Sequence, residues 1–253
     1  MEKKLNVKLL KHTPNPTQAI ATAARLCYSK SEIDDLLKDM TPEKCEKLLK
    51  RLIDMGHESP LEHASFTFGI EGVSRALTHQ LVRHRIASYS QQSQRYVDAQ
   101  DFGYITPPSI KKDKAKKERF DKTMKELAQL YGKFVKDVPK EDARFVLPNA
   151  AETKIIVTMN ARSLKNFFCI RCCERAQWEI RQLARKMLAL CKEVDPILFS
   201  KMGEGCVSEK ICPEGQMSCG KWKQVEDAML RIDGKLVDKE AYEKEYEKKD
   251  EES

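Results

Sequence analysis

Residues 81–96 read "LVRHRIASYSQQSQRY", a stretch with four arginine or histidine side chains, eight hydroxyl or amide side chains, and neither an acid nor a lysine. A core segment is excluded, because each buried polar group needs a partner and an unpaired buried charge is costly. Arginine forks beside serine and glutamine suit a phosphate, a pyrophosphate or a pyrimidine edge. A basic loop whose arginines pair with acids elsewhere in the fold is the alternative.

The segments before this stretch indicate the fold class. Residues 64–70 alternate between apolar and polar side chains, which predicts a strand. Residues 73–85 carry apolar side chains at helical spacing, and Gln80, Arg83 and His84 fall within one sector of about 100° near the end of that helix. The order predicts an α+β fold with a central antiparallel or mixed sheet flanked by long helices.

Five motifs carry a resemblance to a known family. "RHR" at 83–85, followed after seven residues by Ser93 and then by Arg95 and Tyr96, resembles the signature of the flavin-dependent thymidylate synthases. Four further stretches also resemble the family: "HxSPxEHxxFTF" from 57, "ARxVLP" from 143, "NARS" from 160, and "LxxFxxxR…AQWEI" from 164. With the segment around Ser29, the resemblance spans roughly residues 27–179.

The resemblance implies the reductive methylation of dUMP to dTMP. Methylenetetrahydrofolate would donate the carbon, FAD would carry the hydride, and NADPH would reduce the flavin. The residues implied for FAD are Ser59, Arg83, His84, Arg85, Gln91, Asn160, Arg162 and Asn166. The residues implied for dUMP are Gln80, Arg83, Gln91, Gln92, Ser93, Gln94, Arg95, Arg144 and Arg171. A homotetramer with sites shared between subunits is also implied.

Arg171 is the predicted catalytic residue. We predict one long helix over 163–194, on which the apolar stripe of Leu164 and Trp178 also contains Arg171 and Arg175. Arginines fit such a stripe if they are paired, bind a ligand, or reach the surface with their heads. The resemblance matches Arg171 to an arginine that contacts uracil, where it would stabilise negative charge as the ring NH loses its proton.

On the same predicted helix, Asn166 falls about 140° from Arg171. The two faces are therefore expected to serve different sites, which is compatible with sites in different subunits.

Two positions bear on the chemistry. Ser93 is interpreted as a substrate-binding residue rather than a nucleophile, because a nucleophilic serine needs an adjacent base and His84 is the only nearby candidate. Gln91 departs from the family pattern, since many relatives carry glutamate there. Glutamine keeps an acceptor but loses the charge, so a role as proton acceptor is in doubt. Arg175 stands where relatives often carry histidine.

Other polar side chains near the motifs allow two interpretations. The resemblance places Ser29 and Ser59 near the flavin, with His57 close by. A lone histidine is more often a structural group than a ligand or a base. His57 and His63 are therefore candidates with a structural alternative, and Ser29 is equally compatible with an ordinary serine at a helix end.

Composition limits the class of protein. The chain has 253 residues, of which 41% are hydrophobic and 34% charged, and its net charge is +7. We predict a soluble, cytoplasmic protein, because no apolar run reaches membrane-span length and no signal peptide is apparent. The positive charge favours anionic partners, and a basic nucleic-acid-binding protein is the main alternative function. We interpret the chain as an enzyme without nucleic-acid or membrane partners.

The domain prediction is a single catalytic domain over 1–222, with a cysteine-containing part from about 203, and a charged extension over 223–253 that is partly helical or disordered. Cys206, Cys212 and Cys219 are separated by gaps wider than the usual zinc spacing. No metal is therefore predicted, and reduced thiols are favoured over a metal-binding module.

The remaining secondary structure is predicted from local patterns. Thr41 and Asn160 or Ser163 are expected to cap helices, and 107–119 is expected to be a solvated basic connection. The predicted strands are 5–10 and 155–159, and the predicted helices are 16–28, 41–55 and 123–138.

Overall fold

The computed structural model describes residues 1–246, which form two compact units. The first unit contains residues 1–11 and 66–159, and the second contains 12–65 and the chain from 160 onward. The predicted boundary between 222 and 223 stays a prediction. The end of the predicted charged extension, residues 247–253, lies outside the described residues.

Four strands form one sheet: β1 Asn6–His12, β2 Ser65–Ser74, β3 Ser88–Gln91 and β4 Glu152–Asn160. Their order in the sheet is β1-β2-β4-β3. β3 runs antiparallel to β4, with Ser88 opposite Thr158 and Gln91 opposite Ile155. β4 alternates between buried residues such as Val157 and exposed ones such as Ile156, as expected for a sheet with one packed face. The predicted α+β class is confirmed.

Gly72 shows why one position of β2 tolerates no side chain. Its φ is +67°, and a Cβ placed there would lie 1.9 Å from the carbonyl oxygen of Lys4. Only glycine combines this left-handed backbone with such a close approach of another chain segment.

The helices of the first unit differ from their predicted bounds. They are α4 Arg75–Leu81, α5 Pro108–Lys111, α6 Lys114–Asp137 and α7 Lys140–Ala143. The predicted helix 73–85 is shorter, because β2 continues to Ser74 and the Ser74 hydroxyl caps α4 through the Leu77 amide at 3.0 Å. The predicted connection over 107–119 was wrong in part, since α6 begins at Lys114 after the Asp113 cap. Lysine-rich sequence is compatible with an exposed helix.

The second unit is mainly helical. Its helices are α1 Pro16–Leu26, α2 Ile33–Asp39, α3 Pro42–Asp54, α8 Ala161–Arg171, α9 Trp178–Val194, α10 Gly205–Ser208 and α11 Lys239–Glu245. The Thr41 cap of α3 is confirmed, since its hydroxyl accepts a hydrogen bond from the Lys44 amide at 3.4 Å. A buried carboxylate, Asp195, fixes the start of α1 by accepting from the amide of Thr17 at 2.9 Å.

The single helix predicted over 163–194 was wrong. α8 ends at Arg171 and α9 starts at Trp178. The Gln177 side chain caps α9, and Arg185 donates to the Cys172 carbonyl at 3.1 Å. These side chains satisfy backbone groups that a continuous helix would pair internally. Arg175 therefore lies exposed between the helices and not in an apolar stripe.

The C-terminal part contains a second sheet, which the sequence did not predict. Its strands are β5 Ile211–Cys212, β6 Met229–Ile232 and β7 Lys235–Val237, in the order β5-β6-β7. The side chains of Cys206, Cys212 and Trp222 pack with Leu230 and Ile232 in a small core. The nine cysteines are free thiols, and the described residues contain no His, Cys, Asp or Glu cluster suited to a metal ion.

Within residues 1–246, no helix has both the length and the apolar composition that a membrane crossing requires.

Candidate nucleotide and flavin site

The arginine-rich turn after α4 is held by a tyrosine. The hydroxyl of Tyr89 lies 2.8 Å from the carbonyl oxygens of both Leu81 and His84. Burial raises the pKa of Tyr89 to about 12, so the hydroxyl keeps its proton. The side chain of a residue on β3 thereby fixes the end of α4 and the "RHR" turn, which leaves Arg83 and Arg85 exposed.

Gln91 is fixed at the end of β3 by two buried hydroxyl groups. Its Nε2 lies 3.0 Å from Thr78 Oγ1 on α4 and 3.3 Å from Thr153 Oγ1 on β4. Both threonines are buried, with 1% and 2% of their surface exposed. Neither threonine was predicted, because a single threonine on a helix or a strand carries no distinctive sequence signal.

The structure brings three predicted dUMP residues together. The Ser93 hydroxyl accepts from the amide of Arg95 at 3.1 Å. Arg95 pairs with the Glu141 carboxylate, since its Nε lies 2.9 Å from Oε2. The main-chain carbonyl of the same Glu141 accepts from Arg144 Nε at 3.0 Å. Glu141, which the sequence analysis missed, therefore holds both guanidinium groups near one short segment.

Arg75 is a second residue that sequence reasoning missed. It is half-buried on the first turn of α4, and within the described chain no carboxylate pairs with it. Burial lowers the pKa of Arg75, and the neighbouring charge of Arg144 lowers it further. The two neighbouring guanidinium groups add to the local positive charge, which favours an anion. The only sequence signal was its position eight residues before the "RHR" motif.

A cavity of about 550 Å³ lies beside the end of β3. Its lining includes the predicted dUMP residues Gln92, Ser93 and Gln94, together with Lys3 and Lys154. Nucleotide-sized ligands occupy clefts of this size. Gln80, also predicted for dUMP, is half-buried on α4 of the same unit.

The other predicted residues lie in the second unit, at the start of α8. Asn160 caps that helix, since its Oδ1 accepts from the Ser163 amide at 2.8 Å. Arg162 is exposed and forms ion pairs with Glu62 at 2.5 Å and Glu58 at 3.6 Å. The Glu62 carboxylate raises the pKa of Arg162. Because a guanidinium carries five N–H donors, these pairs leave donors for a ligand.

Asn166 and Arg171 lie further along α8. Asn166 is exposed about one turn after Arg162, and Arg171 is the half-buried last residue of the helix. Both belong to one continuous helix, so the angle of about 140° between their faces follows from helix geometry.

The remaining candidates lie on exposed segments. Ser59 begins a 3-10 helix over Ser59–His63, and the side chains of Ser59, His57 and His63 are exposed, whereas Ser29 is half-buried after α1. The Ser29 hydroxyl accepts from the amide of Ser31 at 3.1 Å, which is compatible with its structural interpretation.

Each unit contains side chains whose chemistry suits a part of FAD. Arg83 and Arg85 are exposed and, in the part of the chain that the structure covers, form no ion pair. Free guanidinium forks suit a pyrophosphate. In the second unit, the exposed side chains of Ser59 and Asn166 are neutral hydrogen-bonding groups. The first unit is thus equipped for a phosphorylated nucleotide, and the exposed polar residues on α8 suit a cofactor of the same kind.

Comparison with known proteins defines the family. A family model described as "Thymidylate synthase complementing protein" matches residues 8–197. The chain is 52% identical over 243 residues to a flavin-dependent thymidylate synthase of Clostridium tetani, covering 89% of this chain and 97% of that protein.

Two further relatives carry the same name. The protein of Geobacter sulfurreducens is 55% identical over 224 residues, covering 87% of this chain and 96% of the relative. The protein of Pyrococcus furiosus is 47% identical over 219 residues, covering 83% and 90%. The chain therefore belongs to the family of flavin-dependent thymidylate synthases, as its motifs predicted.

Proposed function

We propose that the protein converts dUMP to dTMP with methylenetetrahydrofolate as the carbon donor and NADPH as the reductant. The overall reaction is dUMP, methylenetetrahydrofolate, NADPH and one proton to dTMP, tetrahydrofolate and NADP⁺. The observation that carries the proposal is the family match over residues 8–197, because every proposed binding residue lies within it.

The dUMP phosphate is proposed to bind Ser93, Arg95 and Arg144, to which we add Arg75. The contacts through Glu141 support this, since they hold two guanidinium groups in place before any ligand arrives. Preorganised cations lose less side-chain entropy on binding. Gln80, Arg83, Gln91, Gln92, Gln94 and Arg171 complete the proposed dUMP set.

FAD is proposed to bind Ser59, Arg83, His84, Arg85, Gln91, Asn160, Arg162 and Asn166. When bound, the flavin supplies the hydride that reduces the transferred carbon. The protein's own part is to hold the pyrophosphate with arginine side chains and to keep the nucleotide in a fixed orientation.

Arg171 is proposed as the catalytic residue. As the uracil NH loses its proton, the guanidinium of Arg171 would stabilise the negative charge on the ring and make the pyrimidine a better nucleophile. Ser93 is proposed to bind substrate without attacking it. Its hydroxyl oxygen is occupied as acceptor for the Arg95 amide, and its proton is available for a phosphate oxygen.

The assembly and the compartment are further proposals. A homotetramer with shared sites rests on the resemblance, and the exposed Phe145 in the "ARxVLP" motif, with 83% of its surface accessible, is compatible with a subunit contact. A cytoplasmic location is supported by the nine free thiols, which suit a reducing compartment.

The test is the visible absorption spectrum of the purified protein, without oxygen, before and after NADPH, with and without dUMP. We expect flavin absorbance that bleaches with NADPH at a rate that dUMP changes, followed by dTMP formation when the folate is added. A colourless protein that neither binds added FAD nor makes dTMP would contradict the proposal.

A further inference from the structure

The amide group of Gln91 has both of its hydrogens engaged inside the protein. Its Nε2 lies within hydrogen-bond distance of two hydroxyl oxygens, Thr78 Oγ1 at 3.0 Å and Thr153 Oγ1 at 3.3 Å. A primary amide has two N–H donors and one carbonyl acceptor. Among residues 1–246, no hydrogen bond reaches Gln91 Oε1. The side chain is half-buried, so the oxygen is the only polar atom it can offer to a ligand.

The orientation of this amide follows from the hydrogen bonds of Thr78. The Thr78 hydroxyl donates its proton to the carbonyl oxygen of Arg75 at 3.0 Å. With its proton used, Thr78 Oγ1 can only accept, so the atom facing it must be a donor. Nε2 meets that requirement and Oε1 does not. A flipped amide would place two acceptors against each other and leave the N–H donors unpaired, which is costly in a buried setting.

We propose that Thr78 and Thr153 are positioning residues that hold Gln91 with its carbonyl oxygen toward the bound nucleotide. The inference rests on the proposed function and extends it. The ligand group that Gln91 recognises must then be a hydrogen-bond donor, such as a sugar hydroxyl or a ring N–H. The two hydroxyls act through Gln91 and need not touch the ligand themselves.

The same geometry shows what the amide contributes here that a carboxylate would not. A carboxylate would present an oxygen to Thr78 Oγ1, whose proton already serves the Arg75 carbonyl. To pair with that oxygen, the Thr78 hydroxyl would have to turn its proton from the Arg75 carbonyl to the carboxylate. The amide instead donates to both hydroxyls, leaves the bond from Thr78 to the Arg75 carbonyl intact, and keeps its own carbonyl oxygen for the ligand.

The test uses Thr153→Val, which removes one hydroxyl and keeps the size and branching of the side chain. Thr153→Ser restores the hydroxyl. Thr158→Val is the matched control, because Thr158 lies on the same strand and its hydroxyl pairs with Thr67 at 2.9 Å, away from Gln91. All variants are measured as the flavin-loaded enzyme, with kcat and KM for dUMP and with the Kd for FAD.

We expect Thr153→Val to raise the KM for dUMP or the Kd for FAD about three- to tenfold, the equivalent of one weakened hydrogen bond. The value of kcat should change less than twofold, Thr153→Ser should restore binding, and Thr158→Val should leave both constants unchanged. Whichever constant rises identifies the ligand that Gln91 contacts.

A double-mutant cycle separates this role from general packing. Gln91→Met has a similar shape but no hydrogen-bonding amide, so in that background Thr153→Val should have no further effect on binding. An equal effect in both backgrounds, or a Thr153→Val enzyme that binds like the Thr158→Val control, would overturn the proposal. If the unmodified enzyme makes no dTMP, it is the proposed function that fails, and binding of dUMP and FAD still tests Gln91.

Discussion

Replacement of Tyr89 by phenylalanine should loosen the arginine-rich turn without changing any charge. The hydroxyl lies 2.8 Å from two carbonyl oxygens, those of Leu81 and His84. One proton serves both, so the variant loses the equivalent of one hydrogen bond, about 1 kcal/mol. Because Leu81 is fully buried, its carbonyl is poorly reached by water, and we expect a total loss of about 1.5–2 kcal/mol.

That loss should appear both in stability and in binding. For a chain of this size, each kcal/mol corresponds to roughly 2–4 °C, so the melting temperature should fall by about 3–8 °C. If the turn must be ordered to bind FAD, the same free energy lowers the population of the binding-competent turn. The Kd for FAD should then rise by at most about 12- to 30-fold.

The assay is thermal unfolding of the apo-protein together with a fluorescence titration of FAD. Tyr28→Phe is the control, because Tyr28 is 79% exposed. A melting temperature within 1 °C of the parent and an FAD Kd within about twofold would refute the reasoning, since the hydroxyl would then not hold the turn.

Three further variants test the proposed roles. Arg171→Ala should lower kcat by at least about 10²-fold and leave bound flavin intact. The control Arg231→Ala, which removes an exposed arginine, should leave kcat unchanged. Full activity of Arg171→Ala would exclude Arg171 from catalysis. Ser93→Ala should keep measurable turnover with a higher KM for dUMP, and complete loss of turnover with intact dUMP binding would restore the nucleophile interpretation. Arg75→Gln should raise the KM for dUMP about tenfold and leave inhibition by deoxyuridine, which lacks the phosphate, unchanged. Equal losses for both ligands would show that Arg75 does not act on the phosphate.

Local patterns predicted the elements whose causes are local. Thr41 caps α3 and Asn160 caps α8 because the side chain and the amide it accepts are three residues apart. The alternation of β4 follows from a strand with one buried face. The family motifs added the candidate binding residues, which composition alone could not distinguish from a basic loop.

The elements that the sequence did not predict depend on contacts between distant residues. The break between α8 and α9 is stabilised by Arg185, thirteen residues after the Cys172 carbonyl it binds. The prediction continued the helical period of 3.6 residues across that break and so placed Arg175 in an apolar stripe. Arg175 instead lies between α8 and α9 and is exposed. Thr78 and Thr153 are 13 and 62 residues from Gln91 in the sequence. Their positions around Gln91 likewise depend on contacts between distant segments, among them the pairing of β3 with β4.

The amide at position 91 narrows the chemistry available to the protein. A glutamine side chain neither gains nor loses a proton near neutral pH, so it cannot serve as a general base. With Nε2 bound to two hydroxyls, it cannot donate to the ligand either. The side chain therefore offers the ligand one fixed, uncharged acceptor, Oε1. This acceptor can orient a nucleotide and favours a ligand that places a hydrogen-bond donor against it. Stabilisation of a deprotonated uracil must then come from cationic groups, which is the role proposed for Arg171. In this chain, orientation and charge stabilisation are therefore assigned to different side chains.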